Sequence, residues 1–129
     1  MSIRDQTGFD PTAIFELRRL GGDQLVRLMV RNFLAEAPMR QAALHRAAEE
    51  GDFRELQLRG YFLKGNAGNL GLTVLAELGF SVEVYCSCQR SDLAVALLAD
   101  LDRLFEEACA CIRPLLAPST LGVLDGSDP

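Results

Sequence analysis

Residues 59–72, RGYFLKGNAGNLGL, constrain the chain more than any other stretch, because four glycines (60, 65, 68 and 71) fall between two strongly helical halves. Read as a loop they would form a glycine-rich turn, yet the apolar residues recur at helical spacing. At about 100° per residue, Leu56, Leu63, Ala67 and Leu70 share one side of a helix. Tyr61, Lys64, Gly65 and Gly68 share the opposite side, with Gln57 a turn earlier. Each glycine inside a helix costs up to about 1 kcal/mol relative to alanine, so a run of them needs a compensating reason. Close helix packing accounts for Gly68 and Gly71. Gly65, beside Tyr61, reads better as space cleared for a partner. The face formed by Gln57, Tyr61, Lys64, Gly65 and Gly68 is therefore the candidate binding surface.

The rest of the chain is patterned the same way. Alanine, leucine, glutamate and arginine dominate and β-branched residues are sparse, which favours an all-helical protein. Asp10 and Pro11 read as the N-cap and first residue of a short helix carrying Ile14, Leu17 and Leu20, which ends at Gly21-Gly22. Asp23 opens a second helix with Leu25, Leu28, Met29, Asn32 and Phe33 on its stripe. Pro38 interrupts it, most simply as the first residue of a third helix that ends at Gly51. Asp52 caps the helix through the glycine-rich stretch. Thr73 begins a helix with Leu75, Leu78, Val82 and Tyr85, and Asp92 begins a last one with Leu93, Leu97, Leu101, Leu104, Ala108 and Ile112. Short connections make neighbours antiparallel. The expected architecture is all-α: an up-and-down four-helix bundle with one or two short additional N-terminal helices. Residues 1–8 read as a flexible arm, 9–117 as the bundle domain and 118–129 as a disordered acidic tail.

Composition narrows the function classes. A formal charge of −5 argues against broad attraction to nucleic acid or anionic lipid. No signal peptide opens the chain and no apolar run reaches the roughly 18 residues of a membrane span, so a cytoplasmic setting is expected. The two C-x-C pairs, Cys86/Cys88 and Cys109/Cys111, invite a metal site. If both lie on antiparallel helices joined near Arg90, Cys86 stands about 6 Å and Cys109 about 28 Å from the turn, too far apart for zinc or a disulfide. They read as reduced structural thiols. No metal and no cofactor are implied, and the glycine spacing lacks the preceding strand of a nucleotide loop.

From Asp52 to Leu72 the pattern GD-x-x-x-L followed by LKG-x-A-x-NLG resembles the histidine phosphotransfer (HPt) domain of bacterial two-component phosphorelays. That family carries H-x-L-K-G-[SA]-[SA]-x-x-[LI]-G, matched here by Leu63, Lys64, Gly65, Ala67, Leu70 and Gly71. Leu25 to Pro38 looks like the family's long helix before the motif. The resemblance covers roughly residues 9–116. It implies a helical bundle, a lysine that steadies a phosphoryl group (Lys64), a glycine that clears space for a receiver domain (Gly65), and partners among receiver domains and histidine kinases. At the phosphoacceptor position the chain has Tyr61.

That exchange changes the chemistry. Imidazole, with a pKa near 6.5, is an abundant neutral nucleophile at pH 7, whereas a phenol near 10 stays protonated and needs a base. The single histidine, His45, lacks a lysine three residues on and a glycine four residues on, and reads as structural. The residues and the resemblance thus point to a pseudo-HPt adaptor or competitor, with no catalytic residue and a monomer favoured over an oligomer, which docks a receiver domain or histidine kinase without accepting phosphate. Apolar residues of the first two helices, Ile14, Leu17 and Leu25 among them, would form the rim. Two alternatives stay open: an interaction or homodimerisation module outside two-component signalling, and a genuine phosphotransfer protein whose acceptor histidine was replaced.

Overall fold

The computed structural model describes residues 8–117, so the expected tail and, Gly8 apart, the expected N-terminal arm lie outside the described residues. The helices are α1 (Pro11–Glu49), α2 (Phe53–Asn69), α3 (Thr73–Ser87), α4 (Ser91–Ala96) and α5 (Leu98–Ile112), followed by a 3-10 turn over Arg113–Leu116. α1 beyond Gly22, α2, α3 and the α4–α5 pair form the expected antiparallel four-helix bundle. The arm of α1 before Gly22 is the short additional helix.

Local signals place the helix ends. Asp10 accepts a hydrogen bond from the Thr12 N–H at 3.1 Å with Pro11 at the first helical position, and Asp52 accepts from the Glu55 N–H at 3.1 Å. The C-termini of α1, α2 and α3 share one device. The N–H of Asp52, Leu72 and Arg90 donates back to the carbonyl of Ala47, Ala67 and Tyr85 at 2.9, 3.0 and 2.8 Å, the closure of a Schellman cap. Each such cap needs one left-handed residue. Gly51 (φ 68°) and Gly71 (φ 75°) supply it at no steric cost, but the third is Gln89 (φ 62°), whose Cβ makes that conformation unfavourable by about 1–2 kcal/mol.

Gly71 has a second duty. The Asp10 N–H donates to the Gly71 carbonyl at 2.7 Å and the Thr73 N–H to the Gly8 carbonyl at 2.9 Å, so residues 8–10 lie along the α2–α3 loop as a short extended segment. A Cβ on Gly71 would stand 2.1 Å from the Asp10 carbonyl oxygen. It packs against this segment and against the first turn of α1, where the same Cβ would stand 3.2 Å from the Ala13 Cβ.

Three expectations are corrected. Pro38 does not begin a new helix: α1 runs through it, and only Gly22 (φ 72°, ψ −170°) leaves helical geometry. Val26, Val30, Phe33, Ala37, Leu44 and Ala47 keep one buried stripe on both sides of Pro38, itself exposed. A break there would pull half that stripe off the core, which outweighs one missing hydrogen bond. The stripe also sits beside the expected one, since Leu20 and Leu28 are exposed. Last, the C-terminal helix is interrupted at Leu97, whose N–H donates to Ala94 at 3.1 Å. That tight turn resets the register so that Ala94, Leu98, Leu101, Phe105, Ala108 and Ile112 are buried, while Leu93, Leu97 and Leu104 are half-buried.

The largest contact in the fold is between α2 and α3, and it is a backbone contact. A Cβ on Gly60 would lie 2.7 Å from the Gly79 carbonyl oxygen and 3.0 Å from the Glu83 nitrogen. A Cβ on Gly79 would lie 2.8 Å from the Gly60 oxygen and 2.9 Å from the Lys64 nitrogen. Leu56, Leu63 and Ala67 from α2 and Leu75 and Val82 from α3 close the core around this crossing.

Gly60→Ala and Gly79→Ala should each destabilise the protein by at least about 1 kcal/mol in urea unfolding, although alanine is the better helix former, because overpacking against backbone outweighs propensity. Gln89→Gly should act in the opposite sense, raising stability by about 1 kcal/mol through relief of the left-handed cap.

Candidate functional site

The α2–α3 crossing fixes what α2 presents on the face beside it, because Lys64 takes part in both. Tyr61 follows Gly60 directly and is 50% exposed. Gln57 and Lys64 are half-buried, and Gly65 and Gly68 are exposed on the same face. Apart from the adjoining backbone of α2 itself, nothing lies within 4 Å of a Cβ added at Gly65 or Gly68. The structure thus brings together the five residues named from the sequence, with one revision to the reasoning. Gly68 packs against nothing, so the role of close helix packing belongs to Gly60, which the sequence pattern did not single out. Of the apolar residues expected at the rim, Ile14 is in the core at 1% exposure and Leu17 is half-buried against it. The exposed apolar neighbours are instead Leu58, Phe62 and Phe80.

Lys64 is the electrostatic centre of the face. Helical side chains lean toward the N-terminus of their own helix, and α2 and α3 are antiparallel, so Lys64 and Glu83 lean toward each other. The Lys64 Nζ donates to Glu83 Oε1 at 3.0 Å. It also lies 4.9 Å from the Tyr61 ring centroid and 5.1 Å from that of Phe80, each contact worth about 0.5–1 kcal/mol at a partly exposed site. The Tyr61 and Phe62 rings meet tilted, 5.7 Å apart. Glu83 and Phe80 are residues the sequence reading missed. Their signal was the glycine in the middle of α3, but using it requires knowing that Gly79 meets Gly60.

An open groove beside Tyr61 is lined by Gln57, Leu58 and Glu83 together with Asp52, Arg54 and Glu55 from the first turn of α2. His45 belongs elsewhere. On α1 it faces α5, its Nε2 2.7 Å from Asp102 Oδ2, with Gln41 donating to the same carboxylate at 3.4 Å. The arrangement on α2 offers a flat aromatic, a cation already answered by a carboxylate, and a cleared floor of two glycines. Aromatic rings with a polar tip and open space beside them are features common at protein contacts.

The four cysteines are free thiols. Cys86 is buried and Cys88 exposed, and burial pushes the thiols of Cys86, Cys109 and Cys111 up from their ordinary range, the nearby Arg113 partly opposing this at Cys109. Among the described residues no three His, Cys, Asp or Glu side chains gather in a way that could hold a metal ion, and no helix is long and apolar enough to cross a membrane.

Residues 28–111 match the Hpt domain. Among solved structures, the histidine-containing phosphotransfer protein B (HptB) from Pseudomonas aeruginosa PAO1 is similar, with 23% sequence identity and a TM-score of 0.73 over 82% of this chain and 91% of that one. At that identity the likeness establishes the fold. No curated protein matches the chain.

Gly65→Ala and Gly68→Ala, which meet no obstacle, should stabilise the protein by about 0.5–1 kcal/mol each, the reverse of the same change at Gly60. Since the thiolate is the reactive form, iodoacetamide at neutral pH should modify Cys88 before the other three thiols. Peptide mapping over time would read the order.

Proposed function

The chain belongs to the Hpt domain family, and from that premise we propose that it is a non-catalytic member, an adaptor or competitor in a two-component phosphorelay. It docks a response-regulator receiver domain or a histidine kinase on the face of Gln57, Tyr61, Lys64, Gly65 and Gly68 and takes up no phosphate. The observation that carries this reading is the half-exposed Tyr61 beside two glycines with open space above them. Those glycines cost the isolated protein stability, and a partner surface lying over them supplies the compensating reason.

The chemistry of the face supports contact over transfer. Tyr61 stands where the family's motif has its phosphoacceptor histidine. Its phenol would need a base to act as a nucleophile, while His45 is engaged with Asp102 on the far side of α1. A phenolic phosphate ester, once formed, would be too stable to pass on. Tyrosine, by contrast, contributes well to interfaces, with a large ring, few rotamers and a polar tip.

Titration against receiver domains and kinases of the same organism tests the proposal. Tyr61→Ala and Lys64→Ala should each weaken binding at least ten-fold, about 1.4 kcal/mol, and Gly65→Ala should weaken it while stabilising the free protein. Binding indifferent to all three changes would refute the reading. In parallel, incubation with a phosphorylated kinase should leave the chain unlabelled. Acid-stable label lost in Tyr61→Phe would identify Tyr61 as an acceptor after all, and acid-labile label would point to His45, the single histidine.

A further inference from the structure

We propose that Glu83 makes the docking face selective for the unphosphorylated form of its receiver partner. The inference rests on the docking reading above and adds the state of the partner.

A phosphorylated receiver would bring its phosphoryl group against Tyr61 and Lys64. The charge of Lys64 that could welcome it is already met by Glu83 Oε1 at 3.0 Å. The ammonium is also held between the Tyr61 and Phe80 rings, at 4.9 and 5.1 Å from their centroids. It therefore leans back over α2 toward α3. To reach an incoming phosphate it would have to give up all three contacts and leave a carboxylate unpaired beneath the partner.

The surroundings add to the effect. The groove at Tyr61 has three carboxylates, Asp52, Glu55 and Glu83, against one arginine, Arg54. Arg59, the next cation along α2, donates to Glu55 at 2.7 Å. Glu83 is the least exposed of the charged groups at the centre of the face, its side chain 23% exposed against 37% for Lys64. A docked partner would displace the remaining water from it, and repulsion between the carboxylate and a group of about −1.5 to −2 charge strengthens as water leaves. An unmodified receiver presents only the aspartate carboxylate there, with less negative charge than the phosphorylated form. The backbone of Glu83 is held in place as well, since its nitrogen lies at the Gly60 crossing.

The test uses a receiver domain that binds in the titrations above, with and without beryllofluoride as the phosphoryl analogue on its aspartate, measured by calorimetry against wild type, Glu83→Gln and Glu83→Ala. Wild type should bind the unmodified receiver at least about five-fold more tightly than the beryllofluoride form. Both variants should bring the two affinities to within about two-fold of each other, mainly by tightening the complex with the beryllofluoride form. Equal affinities in wild type, or a preference that persists in both variants and so belongs to the receiver's own change of shape, overturns this inference and leaves docking intact. If no receiver binds in those titrations, the docking reading falls and the inference with it.

Discussion

Where α2 crosses α3 the two backbones touch, because neither Gly60 nor Gly79 has a side chain to hold them apart. Few packing arrangements transmit position so directly. With side chains between them, two helices can slide or rotate by small repacking. With carbonyl oxygen against Cα there is almost no slack, since interiors packed at crystal density have nowhere to put a displaced atom. Tyr61, next to Gly60, and Lys64 and Glu83, each four residues beyond a crossing glycine, inherit that precision. The exposed face is thus set by a contact buried directly beside it, since the Lys64 nitrogen itself lies at the crossing.

The glycines of the 59–72 stretch consequently do three different jobs that composition alone does not separate. Gly60 permits close approach, Gly71 permits a left-handed cap and a tight contact with Asp10, and Gly65 and Gly68 leave space to solvent. Only the last two weaken the free protein without any return inside it. Such an imbalance between local preference and global fold is the feature on which the docking proposal rests.

Much of this was legible in the sequence because it is local. The caps at Asp10 and Asp52, the apolar side of α2 and the motif around Lys64 each depend on residues within a turn or two. What the sequence hid depends on distant partners. Pro38 sits in an unbroken helix because residues before and after it pack on the same core. The interruption at Leu97 comes from the register that α5 must hold against the bundle, visible only once Phe105 is known to stack on Phe33, their centroids 6.3 Å apart. Gln89 gives no sign of a left-handed cap, since the cap is imposed by the turn from α3 into α4. The pairing of Lys64 with Glu83, 19 positions away, needed the register of the α2–α3 crossing, which a single sequence leaves free.

The hydrogen bonds that tie residues 8–10 to the α2–α3 loop also decide how the bundle can be carried by other polypeptide. α5 comes up to that same end, with Cys111 beside Gly8 and Leu72. Anything joined ahead of Gly8 or beyond the final 3-10 turn therefore leaves from the loop end of the bundle. Tyr61 lies ten positions before Gly71 on α2, about 15 Å down the helix, and faces sideways. A module joined at either end of the described bundle therefore starts at the loop end and not at the aromatic face, and any contact it makes beside the bundle acts at a raised effective concentration.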